Sequence, residues 1–553
     1  MTPRDRENRQ AAPWKRVLTA MQREPYPLHL GVVLLTISVG TALYYIWSES
    51  QSAAGPGFPL DDAWIHLRIA RNIAEGRGFS FNPGVPTAGA TAPLWSLLLA
   101  IPAALGMPAV AGAQAMGVLW GVIAALAAAA LAWEASKSSL AAWAAGCAVA
   151  LSPRVTWGAV SGMEVTLYAA LVPIALWSYL REWPRGGHTW AVWAALAGTA
   201  RPEAFVLLPV MFGHQVATDV GGWRGRRRHL RAVGLALVAI VPYAALNWRG
   251  GGTLLPTTFY AKSYGAGLLN GLLEGNAGEV VKGVTSHPLS TLNTLLLFSQ
   301  GQSAIFFMGW LAGMLALLGL AFRGVASSRG AAVIALMFLA APLATGAVAP
   351  VPPILVHDGR YIGHLVVLFF VIGSCGFAAL NRVSAVRWVM PALAGLALLR
   401  LLSQDVKAVD RYVAMTGNIQ AMNVTAARWF EAHTREDATI ATNDVGAIGY
   451  LADRFIIDTE GLVTPAIVPF KRQHRLLAYL ERAKPDLLAI FPEWYPELAG
   501  RPDLFAEIHR VTALPRVVSG GPTLVIYRTP WTRAGVLKGL QAVAAYRDWS
   551  RSR

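Results

Sequence analysis

Between residues 28 and 401, apolar runs recur so closely that few folds can accommodate them. A backbone placed in hydrocarbon must satisfy its own N–H and C=O groups, which leaves helices or closed barrels as the spanning structures. About 20 consecutive apolar residues cross the hydrocarbon as a helix. On that scale the sequence predicts helices near 28–47, 108–132, 139–152, 163–181, 189–200, 202–213, 232–249, 291–321, 331–349, 361–380 and 384–401, or about eleven segments. The short pair flanking Arg201 reads as a hairpin that only partly crosses, and 291–321 as starting outside the bilayer. Segment 94–105 is apolar but short, and is expected to lie on the membrane surface. The first run is too long for a signal-peptide core and lacks a cleavage signature, so it reads as a retained anchor.

Charge placement orients these segments. Only 14% of the residues are charged, against about 25% in soluble domains. Yet the net charge is +16. Arg224, Arg226, Arg227, Arg228 and Arg231 crowd one interhelical loop, and Arg4, Arg6, Arg9, Lys15, Arg16 and Arg23 precede the first run. Clusters of this kind mark cytoplasmic loops. They put residues 1–27 inside, the first loop (48–107) outside, and everything after about 402 outside as well. No extended basic surface interleaved with aromatics supports nucleic-acid binding.

From about 402 the composition turns polar. ARWFEAHT ends an amphipathic helix, while ATIATN, RFIID, PDLLAIF and GPTLVIYR read as strands with helical stretches between them. Residues 402–553 are therefore expected to form a small α/β domain on the far side of the membrane from the N-terminus. Cys147 and Cys375 lie in apolar runs and read as packing residues. Phosphate-loop, H-E-x-x-H, paired C-x-x-C and G-x-S-x-G patterns are missing from the sequence.

The first loop carries the chemistry. Residues 60–95 open with Asp61 and Asp62, about a dozen residues beyond the first apolar run. Ile65, Ile69 and Ile73 follow at helical spacing, with His66, Arg68, Arg71, Asn72 and Glu75 elsewhere on that helix. Two aspartates at a helix start can simply cap it. At a membrane surface they can instead deprotonate a hydroxyl, one acting as base and the other orienting the acceptor or holding a divalent cation such as Mg, Mn or Ca. Arg201, Lys262 and Arg360 are expected on the same side, where cations suit a phosphate or pyrophosphate. Glu203 is a natural salt-bridge partner for Arg201, and Arg154 and Glu164 flank the turn 153–162. The segment 250–290 reads as a loop able to fold over the outer face.

Taken in order, these motifs resemble the GT-C superfamily of integral membrane glycosyltransferases, in particular bacterial arabinofuranosyltransferases and protein-mannosyltransferase-like enzymes. The likeness rests on Asp61–Asp62, on Arg68 with Asn72, on Asn82–Gly84 and on Pro93–Trp95. It continues in Ser161–Glu164, Arg201–Glu203, Leu254–Lys262, Asn443–Tyr450 and Ile457–Leu462. The resemblance implies a polytopic helical bundle in a bacterial cytoplasmic membrane, with an extracytoplasmic α/β tail. It implies transfer of one sugar, with inversion, from a polyprenyl-phosphate donor to a hydroxyl of a cell-envelope glycan, lipid or protein. Asp61 would be the base and Asp62 its partner, with Arg201, Lys262 and Arg360 holding the donor phosphate and His66, Arg68, Glu164 and Trp95 serving the acceptor. Arabinose, mannose, galactose and aminoarabinose all remain open, because TAGAT (Thr87–Thr91) departs from the bulkier arabinosyl pattern. A lipid-linked-sugar flippase, a polysaccharide polymerase or ligase, and a non-catalytic scaffold are the alternatives.

Overall fold

The computed structural model describes residues 25–218, 222–262, 266–321, 330–348 and 357–538. The basic residues up to Arg23, and the side chains of Arg224, Arg226 and Lys262, lie outside the described residues. The chain enters through α1 (Leu30–Ser50), and the first loop then holds two helices, α2 (Asp62–Ala74) and α3 (Pro93–Ala104). Next come α4 (Ala109–Ser136), α5 (Ser139–Ala150), the short α6 (Pro153–Val160), α7 (Val165–Glu182) and α8 (Thr189–Ala200). After a 3₁₀ turn at Pro202–Val206 follow α9 (Leu207–Thr218) and α10 (Gly222–Gly251). The segment expected as a loop over 250–290 is instead largely helical, with α11 (Thr257–Lys262), α12 (Leu268–Glu274) and α13 (Ala277–Val284). The bundle closes with α14 (Ser286–Gln302), α15 (Ala304–Ala321), α16 (Ala332–Val348), α17 (Gly363–Leu380) and α18 (Val389–Ile419).

Three expectations change. The single helix expected over 291–321 is two, because Ser303 takes an extended backbone and its hydroxyl accepts the Phe306 amide at 3.3 Å. That is N-cap chemistry inside an apolar run. Residue 402 falls within the unbroken α18, so the last bundle helix runs straight into the tail. Third, length alone does not reproduce about eleven full spans. Among the described residues, five helices are long and apolar enough to cross a membrane: Leu30–Ser50, Ala109–Ser136, Arg227–Gly251, Arg360–Leu380 and Val389–His433. Several other expected spans are short, α5 and α8 having 12 residues each.

Small residues let these helices approach closely. A Cβ at Gly313 of α15 would lie 1.9 Å from the Ile372 carbonyl of α17, and one at Gly376 would lie 1.8 Å from the Gly309 carbonyl. Such contacts drive helix association where lipid offers no hydrophobic force. The outward faces are correspondingly apolar, with Leu315 76%, Val238 68% and Leu399 65% exposed, which suits lipid rather than water.

The tail begins as α18 widens into a π-turn at Gln420–Val424 and continues as α19 (Thr425–His433). A five-stranded sheet follows, in the order β2-β1-β3-β5-β4. Strands β1 (Thr439–Thr442), β2 (Phe455–Asp458) and β3 (Leu487–Ile490) pair in parallel, while β5 (Thr523–Arg528) runs antiparallel to β3 and to β4 (Ala506–Thr512). Strand β4 was hidden in the sequence, since an edge strand with two exposed charged residues, Glu507 and Arg510, carries no clean alternation.

Candidate active site

Asp61 precedes α2 but makes no side-chain bond to its own helix. Its carboxylate reaches across to the tail instead. Oδ2 accepts the Gly446 amide at 2.7 Å and Oδ1 accepts the Ala447 amide at 2.8 Å. Hydrogen bonds to a charged group contribute about 1.5–3 kcal/mol each. Only glycine fits at 446, because a Cβ there would lie 2.0 Å from the Asp61 carbonyl oxygen. Capping is therefore not what Asp61 does; it fastens the first loop to the tail.

Asp62 turns the other way. Its Oδ2 pairs with Nη2 of Arg360 at 2.6 Å, from the turn His357–Ile362 that leads into α17. The same Arg360 nitrogen donates to the Tyr361 hydroxyl at 3.0 Å. Arg360 is buried, and its Nε and Nη1 have no partner among the described residues. Buried guanidinium N–H groups left unpaired are expensive.

A third carboxylate, Asp444, completes the cluster and was not singled out from the sequence. The Asn423 amide donates to its Oδ2 at 2.8 Å, and the Asn443 amide donates to its Oδ1 at 3.2 Å. Asn423 sits on the π-turn that ends α18, and a second π-turn, Ile448–Ala452, follows the Gly446–Ala447 clamp. Such widened turns recur at functional sites. Desolvation and the neighbouring Asp61 hold the Asp444 carboxyl well above the usual carboxylate range. Desolvation, and to a lesser extent Asp62, also raise Asp61, against the pull of its two amides. Asp61 is the member better prepared to carry charge, since both amides favour its ionised form. The signal that could have found Asp444 was its place in the N-D-V-G-A-I-G-Y pattern.

Arg201 shares the Tyr361 ring with Arg360, the two guanidiniums lying 4.5 and 4.9 Å from its centre. Its position between α8 and the 3₁₀ turn is extended, and its guanidinium is buried. Nη1 is ion-paired with Glu164, while Nε and Nη2 grip Glu203 at 3.1 and 2.7 Å. Tyr361 stacks beneath the guanidinium, 4.5 Å from ring centre to Cζ. His66 Nδ1 meets the Ser96 hydroxyl at 2.8 Å, and its Nε2 lies 3.7 Å from Glu164 Oε2. Burial holds the His66 imidazole below its ordinary range, against the pull of Glu164 and Asp62. Arg201 is thus engaged by two carboxylates, whereas Arg360 has two donors with no partner among the described residues.

Other expected site residues have structural work. Arg68 is buried; its Nε and Nη2 donate to the Phe81 and Arg454 carbonyls at 2.7 and 2.9 Å, and its Nη1 lies 3.6 Å from Asp453 without a hydrogen bond. Trp95 is buried and donates to the Gly162 carbonyl at 2.9 Å. Both are buried with donors bonded to backbone carbonyls, which is a structural role. Arg68, Asn72 and Asn82 together stitch the first loop to itself and to β2, Asn82 by a reciprocal pair with Ile456 at 2.8 and 3.0 Å. The backbone of α11 packs on the TAGAT loop, with Thr258 and Thr91 hydroxyls 3.0 Å apart. The Lys262 side chain at its end lies outside the described residues.

The carboxylates do not form a metal cage. Both Asp61 oxygens are taken by amides and Asp62 is paired with Arg360. Among the described residues, no group of three His, Cys, Asp or Glu side chains could hold a metal ion.

Residues 414–537 match the family described as "Domain of unknown function (DUF8728)". No curated protein matches the chain. The fold is similar to archaeal oligosaccharyltransferase AglB from Archaeoglobus fulgidus, in complex with an inhibitory peptide and a dolichol-phosphate, at 13% identity and TM-score 0.58 over 92% of this chain and 75% of that one. It is also similar to ArnT from Cupriavidus metallidurans in the apo state, at 14% identity and TM-score 0.53 over 92% of this chain and 99% of that one. The chain has a GT-C-like fold, mostly helical with a small C-terminal sheet domain.

Proposed function

We propose that this protein is a glycosyltransferase that moves a sugar from a polyprenyl-phosphate donor to a hydroxyl acceptor at the outer face of a bacterial cytoplasmic membrane, with its tail extracytoplasmic. The observation that carries this reading is the arrangement around Arg360. One of its nitrogens binds Asp62, the neighbour of Asp61 in the chain, while two others stay buried and unpartnered among the described residues. The dolichol-phosphate in the AglB complex supports the same class of donor.

In this reading the acceptor hydroxyl gives its proton to Asp61 as its oxygen attacks the anomeric carbon. The sugar–phosphate bond breaks on the opposite face, which inverts the centre. The bonding pair leaves on the phosphate, where the Arg360 Nε and Nη1 donors meet the developing charge. A base works best with a pKa near the working pH, and the raised Asp61 carboxyl moves in that direction. Arg201, held by Glu164 and Glu203, anchors the Tyr361 platform beside Arg360. Its direct contact with the phosphate, and that of Lys262, remain part of the proposal.

The test is transfer of radiolabelled sugar from a polyprenyl-phosphate donor by the purified full chain. Asp61→Asn should abolish transfer while donor binding persists. Full activity in that variant removes Asp61 from the chemistry.

A further inference from the structure

The I-D-x-x-G-L pattern at Ile457–Leu462 takes no part in the transfer step, yet the sheet places it beside the acid pair. Strands β1, β2 and β3 are parallel, and ligands of parallel sheets gather at the carboxyl ends of the strands. Thr442 and Asp458 are partners at the ends of β1 and β2, and adjacent strands lie about 4.8 Å apart. Asp444 and Glu460 each follow two residues later. Asp444 is in turn two residues from Gly446, whose amide holds Asp61, so about 7 Å at most separates those two Cα atoms.

The turn after β2 presents Glu460. Asp458 accepts the Glu460 amide at 2.8 Å and the Val463 amide at 2.9 Å, and Gly461 takes a φ of +86° within the turn. On one side the turn packs against the first loop, since a Cβ at Gly89 would lie 2.6 Å from the Leu462 carbonyl oxygen. Past β3, the Tyr495 hydroxyl donates to Glu460 Oε1 and lies 3.0 Å from the Thr459 hydroxyl. From α20 (Val468–Arg472), Lys471 pairs with Glu460 Oε2. Solvent still reaches this pair, the Glu460 side chain being 17% exposed.

The edge is rich in hydrogen-bond acceptors. A carboxylate has about four acceptor positions; Tyr495 takes one on Glu460 Oε1 and Lys471 one on Oε2, so each oxygen keeps a lone pair. Asn443 is 4% exposed, donates to Asp444 through Nδ2, and has no partner for its Oδ1 among the described residues. The ammonium of Lys471 is paired with Glu460, so the edge suits a ligand that brings several donors and no charge. A sugar ring carries such hydroxyls side by side, whereas a serine side chain or a lipid alcohol carries a single one.

We propose, on the strength of the sugar-transfer reading, that this edge of the tail is the acceptor subsite and that the acceptor is a neutral sugar residue of a glycan. Its hydroxyls donate to Glu460 and to Asn443 Oδ1, and a further hydroxyl faces Asp61.

The full-length protein should be titrated by saturation-transfer NMR with methyl arabinofuranoside, methyl mannopyranoside and methyl galactopyranoside, and with a neutral serine-containing peptide. At least one glycoside is expected to bind, and the peptide is not. Glu460→Gln, which keeps the size of the side chain, should weaken that glycoside about tenfold or more, as for loss of a hydrogen bond to a charged group. Asn443→Ala should weaken it in the same direction. Lys471→Gln breaks the same ion pair but keeps the Glu460 carboxylate, and should change binding by about twofold or less, as for a partly exposed pair. Thermal melts of the three variants should show a folded protein. The proposal is overturned if no glycoside binds, if the peptide binds as well as the glycosides, or if binding survives Glu460→Gln. Equal losses in Glu460→Gln and Lys471→Gln also overturn it, because a merely structural ion pair would respond that way. Binding is read without turnover, so unchanged glycoside binding in Glu460→Gln alongside lost transfer in Asp61→Asn strikes the subsite and leaves the transfer reading standing.

Discussion

Asp61 and Asp62 are neighbours in sequence, yet opposite halves of the molecule hold them. The tail holds Asp61 through two backbone amides, and the bundle holds Asp62 through one guanidinium. The tail's grip needs no particular side chain, only a glycine small enough to let two backbones meet. The bundle's grip depends on a single charge. The acid pair is therefore assembled only when the tail is docked, which makes the tail part of the site. The Arg201 group is different, since bundle residues alone build it and its two carboxylates neutralise it internally.

The sharpest way to break this contrast is Asp61→Asn. Loss of a general base should lower kcat by about a hundredfold to ten-thousandfold, measured as sugar transfer. The bundle-side counterpart, Arg360→Gln, should lower kcat/KM by about a hundredfold to a thousandfold, as for loss of an oxyanion donor. Arg201 is the poorer test, because removing one partner of a buried pair costs about 3–5 kcal/mol of stability and would leave Glu164 and Glu203 uncompensated. On the tail side, Gly446→Ala should cost about 1–3 kcal/mol through overpacking and should lower transfer as the clamp on Asp61 opens. A thermal melt paired with the transfer assay reads both effects.

Acidity offers a finer probe. Asp61 and Asp444 both have raised folded-state pKa values, so between the ordinary carboxylate range and those values the folded protein binds more protons than the unfolded chain. Their contribution to stability is then greatest at low pH and is lost as pH rises through that window. Asp444→Asn should flatten the upper part of this loss in melts recorded from mildly acidic to mildly alkaline pH. The smallest expected effect on chemistry belongs to Arg68→Lys. That change breaks the fork to the Phe81 and Arg454 carbonyls and should lower Tm while leaving kcat of the folded fraction nearly unchanged.

What the sequence revealed follows the range of each interaction. The apolar runs, the amphipathic α2 and four of the five strands were legible because each depends on local periodicity. The Arg201–Glu203 pair was legible because its members are two residues apart. The partners of Asp61 were not, since they are backbone amides 385 and 386 residues away that carry no side-chain signature. Arg68 and Trp95 looked functional for a similar reason. A buried donor aimed at a carbonyl has the same sequence appearance as one aimed at a substrate. The break at Ser303 escaped because one capping serine is a weak signal within an apolar run.

The most direct measurement is a structure of the full chain determined with a polyprenyl monophosphate bound. The account predicts a phosphate oxygen within hydrogen-bonding distance of Arg360 Nε or Nη1, on the side of Asp61, with the prenyl chain leaving between bundle helices. A phosphate bound across the bilayer from Asp61, or one that leaves both Arg360 donors unpaired, would contradict it.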